Sequence, residues 1–300
     1  MAWFWGSRGF KAKAYDIKQH STHDFMSGWG FNLCLDYCLR ARHGGLVVAG
    51  PPCSHFVFLS VSWHMRSRTC PEGDVLKPKI IMGNIFVLNF AVLLAILTVR
   101  GVLILVEQPE SSALWFNYCI ELWKQWSRSL RVHTWFRCFK HPMPKPSDLV
   151  ATWLGAGALK RVWSEKRELC YESMGEYVYT TKCKPSELII GQGRLPKNHQ
   201  FTRINRGGSV SGTKHLPESA GYTVMFVEAV FNAWQKQPKV TFDKMDCTYE
   251  EAFEACGLTH LESLRKYFTF PELPKVIFST TQLGQLFAAQ KRKAEELDVD

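Results

Sequence analysis

A chain of 300 residues, 46% hydrophobic and 21% charged, has the composition of a globular protein with ample core, in one large domain or two small ones. Its net charge of +10 suits a polyanionic partner such as nucleic acid, and equally a merely solubilising surface. Ten cysteines over this length are too sparse for a disulfide scaffold, and Cys34 and Cys38 form a lone C-x3-C with no second pair, so no metal site is expected. The opening MAWFWGSRGF lacks a positive region followed by an apolar core, so a reducing, intracellular compartment is expected rather than secretion.

In chain order, Lys11 to Asp16 reads as a short strand ending in an acid, and Ser27 to Ala41 as a helix that carries Cys34 and Cys38 as packing residues. Leu46 to Ala49 is a short, wholly apolar run, as in a strand covered on both faces. Pro51 and Pro52 then remove two backbone donors and stiffen the exit immediately before Cys53. Ile80 to Val99 is helical and long enough to cross a bilayer, yet it contains Asn84 and Asn89. It is followed by Arg100-Gly101 and a second apolar strand, Val102 to Val106, which makes it the crossover helix of a βαβ unit.

Ser112 to Leu130 reads as a helix with Leu114, Cys119, Leu122 and Trp126 on its apolar side. Arg131 to Phe139 and Asp148 to Leu154 read as strands. Strands alternating with helices predict a doubly wound, mostly parallel sheet. Beyond residue 160 the pattern weakens. Lys184 to Gly221 is rich in Gly, Pro, Lys, Arg and Asn and reads as one long basic loop. Helical periodicity returns at Tyr222 to Gln235 and at Thr248 to Tyr267, the latter broken by Gly257, and the charged tail from Ala288 reads as a fraying helix end.

Two strand ends carry candidate chemistry. One ends in PPC with Cys53, the other in VEQP with Glu107, and consecutive βαβ strands often lie side by side, so both side chains are expected in one crevice. A third strand ends at Asp16, where an acid accepts from ribose hydroxyls. A thiol beside a carboxylic acid, with a nucleoside pocket next door, suits methyl transfer to a pyrimidine. Carbon 5 of cytosine is too weak a nucleophile by itself. A thiolate that adds at carbon 6 converts the ring to an enamine, and an acid at N3 meets the charge that develops. The base must leave its stack to reach such a pocket, and a basic loop would hold the backbone.

AGPPCS, an apolar helix and VLILVEQPESS together resemble the core of the DNA (cytosine-5) methyltransferases. The resemblance implies a Rossmann-like methyltransferase core, S-adenosylmethionine as donor, DNA or RNA as partner, Cys53 as nucleophile and Glu107 as the base-contacting acid. Phe136 to Thr152 is similar to a hairpin of divergent members, which makes Lys145 the cation standing where the family carries arginines. Ser219 to Trp234 resembles the family's closing helix. Asp16, Gly50 and Pro51 fall at the implied cofactor site. Gln108-Pro109 follows the acid where Glu-Asn-Val is usual, Ser54 stands where glutamine is common, and no Asp-x-Phe-x-Gly-x-Gly loop precedes KAKAYDI.

The expected division is a core over residues 1–160 without its first strand, a basic loop region and closing helix over 161–240, and a helical extension over 241–300. Two other readings stand beside the enzyme: a non-catalytic nucleic-acid-binding remnant, and a protein anchored in a membrane through residues 80–99. Cys53 as an ordinary buried thiol, Glu107 as a plain strand-end cap and Lys145 as a plain loop residue are the bland alternatives.

Overall fold

The computed structural model describes residues 1–57, 61–141, 145–162, 169–172, 178–180, 202–204, 210–212, 221–237 and 247–258. Its centre is a four-stranded sheet built of β1 (Leu46–Ala49), β2 (Leu103–Pro109), β3 (Leu130–Trp135) and β4 (Pro146–Ala151), in the order β1-β2-β4-β3. β1 and β2 are parallel, with Leu46 opposite Leu103 and Ala49 opposite Val106. β4 runs antiparallel to both β2 and β3. The class is therefore α/β, as expected, but the sheet is mixed rather than mostly parallel. The cause is the short connection from β3 to β4: it makes a hairpin, which returns the chain in the opposite sense, whereas β1 to β2 has a helix to cross over with.

The strands sort their side chains by the two-residue period. Ile104 and Val106 of β2 and Val150 of β4 face one core, while Leu103, Leu105, Val132, Leu149 and Ala151 face the other. The first core is closed by α2 (Gly28–Leu39), α4 (Pro78–Val99), α5 (Tyr118–Trp126) and α7 (Tyr249–Ala255); the second by α1 (Ala2–Gly6) and α6 (Val224–Gln235). α3 (Val61–His64) is a single turn in the long connection after Cys53. Three further strands, β5 (Arg161–Val162), β6 (Leu169–Glu172) and β7 (Val178–Thr180), form a small antiparallel sheet. β8 (Thr202–Ile204) and β9 (Val210–Gly212) form a two-stranded ribbon inside the stretch expected to be only loop. The rest of that stretch, the charged tail and most of the expected helical extension lie outside the described residues.

α4 is apolar all round and starts on Pro78, whose fixed φ and missing donor suit a first helical turn. The helix ends at Arg100, after which Gly101 turns the chain into β2 at φ +64°. It is long and apolar enough to cross a membrane, with a mean hydropathy of 2.5 in its most apolar window, but 78% of that window is buried inside the protein. It packs on β2, α2, α5 and α7, as the core helix of the βαβ unit.

Elsewhere the sequence expectations shift. Lys11 to Asp16 is not a strand; it runs as irregular chain and joins no sheet. The helix expected over Ser112 to Leu130 is split: a 3-10 turn, Ala113–Phe116, ends at Asn117, whose side chain then accepts from Cys119 N–H and caps α5. The strand expected to reach Phe139 stops at Trp135 and tightens into a 3-10 turn over Phe136–Phe139. Cys138 in that turn is buried and disulfide-bonded.

Candidate functional site

Cys53 and Glu107 lie at the carboxyl ends of adjacent parallel strands, where open α/β sheets bind their ligands. β1 stops because Pro51 and Pro52 offer no N–H to the ladder, and Cys53 opens a 3-10 turn, Cys53–His55. Gln108 locks this exit to β2. Its side-chain amide donates to the Pro51 carbonyl, and its Oε1 accepts from Ser112 Oγ at 2.9 Å. Gln108 shares the face of Ile104 and Val106, so Glu107 turns to the opposite face, toward α6.

Glu107 is 4% exposed, and its carboxylate is held by three donors. Ser147 Oγ donates to Oε1 at 2.8 Å, Lys145 Nζ lies 3.5 Å from the same oxygen, and Tyr222 OH donates to Oε2 at 3.0 Å. The hairpin and helix supply these groups in a fixed way. Ser147 lies on the same face of β4 as Leu149, which is directly opposite Glu107. Lys145 precedes Pro146 with a left-handed backbone, φ +40°, a strained choice for a lysine before proline. That turn brings its ammonium 4.7 Å from the Phe136 ring centre and 5.7 Å from that of Tyr222. Thr223 caps α6 by accepting from Phe226 N–H at 3.2 Å, and its hydroxyl donates to the Phe139 carbonyl at 2.6 Å, which ties Tyr222 to the hairpin.

Cys53 is half-buried, and burial raises its thiol pKa above the ordinary value. The Lys145 ammonium works against that shift and the Glu107 carboxylate adds to it. The sulfur, the carboxylate and the ammonium thus lie within electrostatic reach of one another, with Lys145 Nζ in ion-pair contact with Glu107. Compared with protein-family models, with curated proteins and with solved structures, the chain matches none.

The three residues assigned to S-adenosylmethionine do not fit a cradle for it. Asp16 is exposed in irregular chain rather than at the end of a strand, and its Oδ1 accepts from Lys18 N–H at 2.8 Å. A Cβ on Gly50 would lie 2.3 Å from Tyr222 OH, so the space above that glycine holds a phenol. Pro51 is buried with its carbonyl bonded to Gln108. Among the described residues no glycine-rich loop runs from a strand into a helix beside them.

The loop after Cys53 is held from inside. Arg66 is 2% exposed, donates to the Pro71 carbonyl and to Ile80 O, and lies 4.8 Å from the Phe56 ring centre. Burial lowers its guanidinium pKa to about 10, with Glu72 opposing. Arg66 is therefore a strut rather than a ligand contact. Arg68 and Trp63 are exposed on the outside of the same loop, and Lys79 is exposed on the first turn of α4 beside it.

Tyr222, Ser147 and Phe136 are the site residues that the sequence reading did not single out. Each stood beside a residue that it did use: Ser147 follows Lys145-Pro146, Tyr222 precedes the helix cap, and Phe136 opens the hairpin segment.

Proposed function

We propose that this chain is a cytosine-5 methyltransferase-like protein whose Cys53 adds to carbon 6 of a cytosine ring presented by nucleic acid. The observation that carries the reading is the cluster itself: the Cys53 thiol and the Glu107 carboxylate at the ends of two parallel strands, with the Lys145 ammonium of the hairpin 3.5 Å from Glu107 and within electrostatic reach of Cys53. In the step proposed, the thiolate sulfur bonds carbon 6 and the C5–C6 π pair moves to C5 and the ring. The Lys145 ammonium meets the charge that develops at N3 and O2, and the Glu107 carboxylate accepts from the N4 amine of the base. Carbon 5 then takes a proton from solvent; loss of the original C5 proton to water returns its electron pair to the C5–C6 bond, the C6–S bond breaks, and the thiolate leaves the base with its C5 hydrogen exchanged. That sequence needs no methyl donor.

The test follows from that balance. The full chain is incubated in D2O with cytosine-containing single-stranded and duplex DNA, and deuterium at C5 is read by mass spectrometry. Exchange is expected with the native chain and a loss of about 100-fold or more in Cys53→Ser. No exchange above the Cys53→Ser background on either DNA rejects the nucleophile. A second reading, nucleic-acid binding without turnover, is favoured by the misfit of Asp16, Gly50 and Pro51 to a donor cradle and by exposed Arg68, Lys79 and Trp63 beside the loop. Salt-dependent DNA binding with no exchange selects it.

A further inference from the structure

The hydroxyl of Tyr222 bridges the two strand ends that define the crevice. It is 3.0 Å from Glu107 Oε2 at the end of β2 and lies against Gly50 at the end of β1, three residues before the nucleophile. Its ring is close to parallel with that of Phe136, at 27° and 5.8 Å between centres, and Lys145 borders both rings. A planar aromatic side chain with a hydrogen-bonding edge thus already occupies the place where a planar base with a hydrogen-bonding edge would be held. Tyr222 stands one residue ahead of the α6 cap, so rotation of its side chain breaks no helical hydrogen bond.

We propose that Tyr222 gates this site: its phenol fills the crevice in the free protein, and an entering ring reaches Cys53, Glu107 and the face of Phe136 only by displacing it. The identity of that ring as cytosine rests on the function proposed above; the gate does not. Burial and the Glu107 carboxylate push the phenol pKa well above its ordinary value. Tyr222 therefore remains a proton donor to Glu107 throughout the neutral range, and the gate is opened by competition rather than by pH. A hydrogen bond to a charged group weights the closed state by about tenfold or more, and the apparent affinity of any ring falls by the same factor.

Two variants of the full chain test this by iodoacetamide labelling, with each cysteine followed by mass spectrometry. Exposed Cys70 serves as the open reference, and buried Cys119 and Cys256 as the closed ones. In Tyr222→Ala, Cys53 is expected to label at least about tenfold faster than in the native chain, with Cys119 and Cys256 unchanged. In Tyr222→Phe, which keeps the ring and loses the bond, the gain is expected to be about threefold. Unchanged labelling of Cys53 in Tyr222→Ala, with the buried references still protected, overturns the gate. Should Cys119 and Cys256 also react in that variant, it has unfolded, and Tyr222→Phe decides: a faster Cys53 supports the gate and an unchanged one rejects it. The C5 exchange assay separates this proposal from the function it rests on. Accelerated labelling with no exchange in any variant keeps the gate and removes cytosine. Exchange in the native chain that becomes neither faster nor tighter in Tyr222→Ala, with native-like labelling of Cys53, removes the gate and keeps cytosine.

Discussion

Tyr222 and Glu107 stand 115 residues apart in the chain and 3.0 Å apart in space. That one bond joins the start of α6 to the end of β2 and puts the phenol directly over Gly50. It also fixes the orientation of a buried carboxylate whose other oxygen is claimed by Ser147 and Lys145.

Substitution of Gly50 by alanine should push the phenol out without touching either of its partners. The new methyl group would sit 2.3 Å from the hydroxyl and 3.3 Å from Cζ, far inside contact distance, so the ring must shift. The expected result is a loss of about 1–3 kcal/mol in stability from the orphaned carboxylate oxygen, read by urea unfolding. Cys53 labelling should accelerate in parallel. A Gly50→Ala chain as stable as the native one would mean that the phenol has room this packing does not show.

Opposite charges should move the reactivity of Cys53 in opposite directions. Burial raises the thiol pKa, Lys145 counters it and Glu107 reinforces it. Glu107→Gln is therefore expected to speed iodoacetamide labelling of Cys53 at neutral pH by about threefold or more, and Lys145→Met to slow it by a similar factor, because the thiolate is the reactive form. The pH profile of labelling should move to lower pH in the first variant and to higher pH in the second. Two variants that shift the profile in the same direction would contradict the shared crevice.

Gln108 should matter to the fold more than its neighbours on the surface do. It is 1% exposed and serves both the Pro51 carbonyl and the Ser112 hydroxyl. Gln108→Leu keeps the volume and strands both partners, for an expected cost of about 2 kcal/mol in unfolding free energy. A cost near zero would show that Pro51 and Ser112 find other partners.

The pair His133 and Asp148 sets a pH dependence of stability. The Asp148 hydrogen bond holds the imidazole pKa above its ordinary value, with the Glu110 charge adding, against burial and Arg131. Burial would raise the Asp148 carboxyl, but bonds from His133 and Arg131 outweigh it and hold it below the usual carboxylate value. The imidazole's contribution is complete below its unfolded pKa and is lost as pH rises through the raised folded one. The carboxylate's is complete above its unfolded pKa and is lost as pH falls through the lowered one. The stability gap between the native chain and His133→Gln should therefore be widest at about pH 4–6.5 and close as pH rises beyond. Urea midpoints measured from pH 4 to 9 give the answer, and a constant gap would discard the pair.

Some of this architecture is written locally. Leu46 to Ala49 and the helix that begins at Pro78 declare themselves by unbroken apolar runs, and Gly101 and the Pro51-Pro52 step mark where they stop. The adjacency of the two strands that lead to Cys53 and Glu107 was legible because both are such runs joined by a helix. Lys11 to Asp16 misled because six residues with alternating polarity fit a strand only if a neighbour is there to pair with, and none is among the described residues. Asn117 was missed as a cap because its neighbours keep the helical apolar spacing across the break. Tyr222 had no local signal: its meaning comes from an acid in another element, and no short window contains both.

The order of partners around Glu107 has a bearing on biosynthesis. β1 and β2 can pair as soon as residue 109 has left the ribosome, but the groups that neutralise the carboxylate arrive later, with Lys145 and Ser147 on the hairpin and with Tyr222 at α6. A nascent chain therefore passes through a stage in which the strand ends are together and their acid is still hydrated. The thiol acquires its mature surroundings only when the last of these long-range contacts closes, so reactivity at residue 53 reports completed topology rather than early collapse.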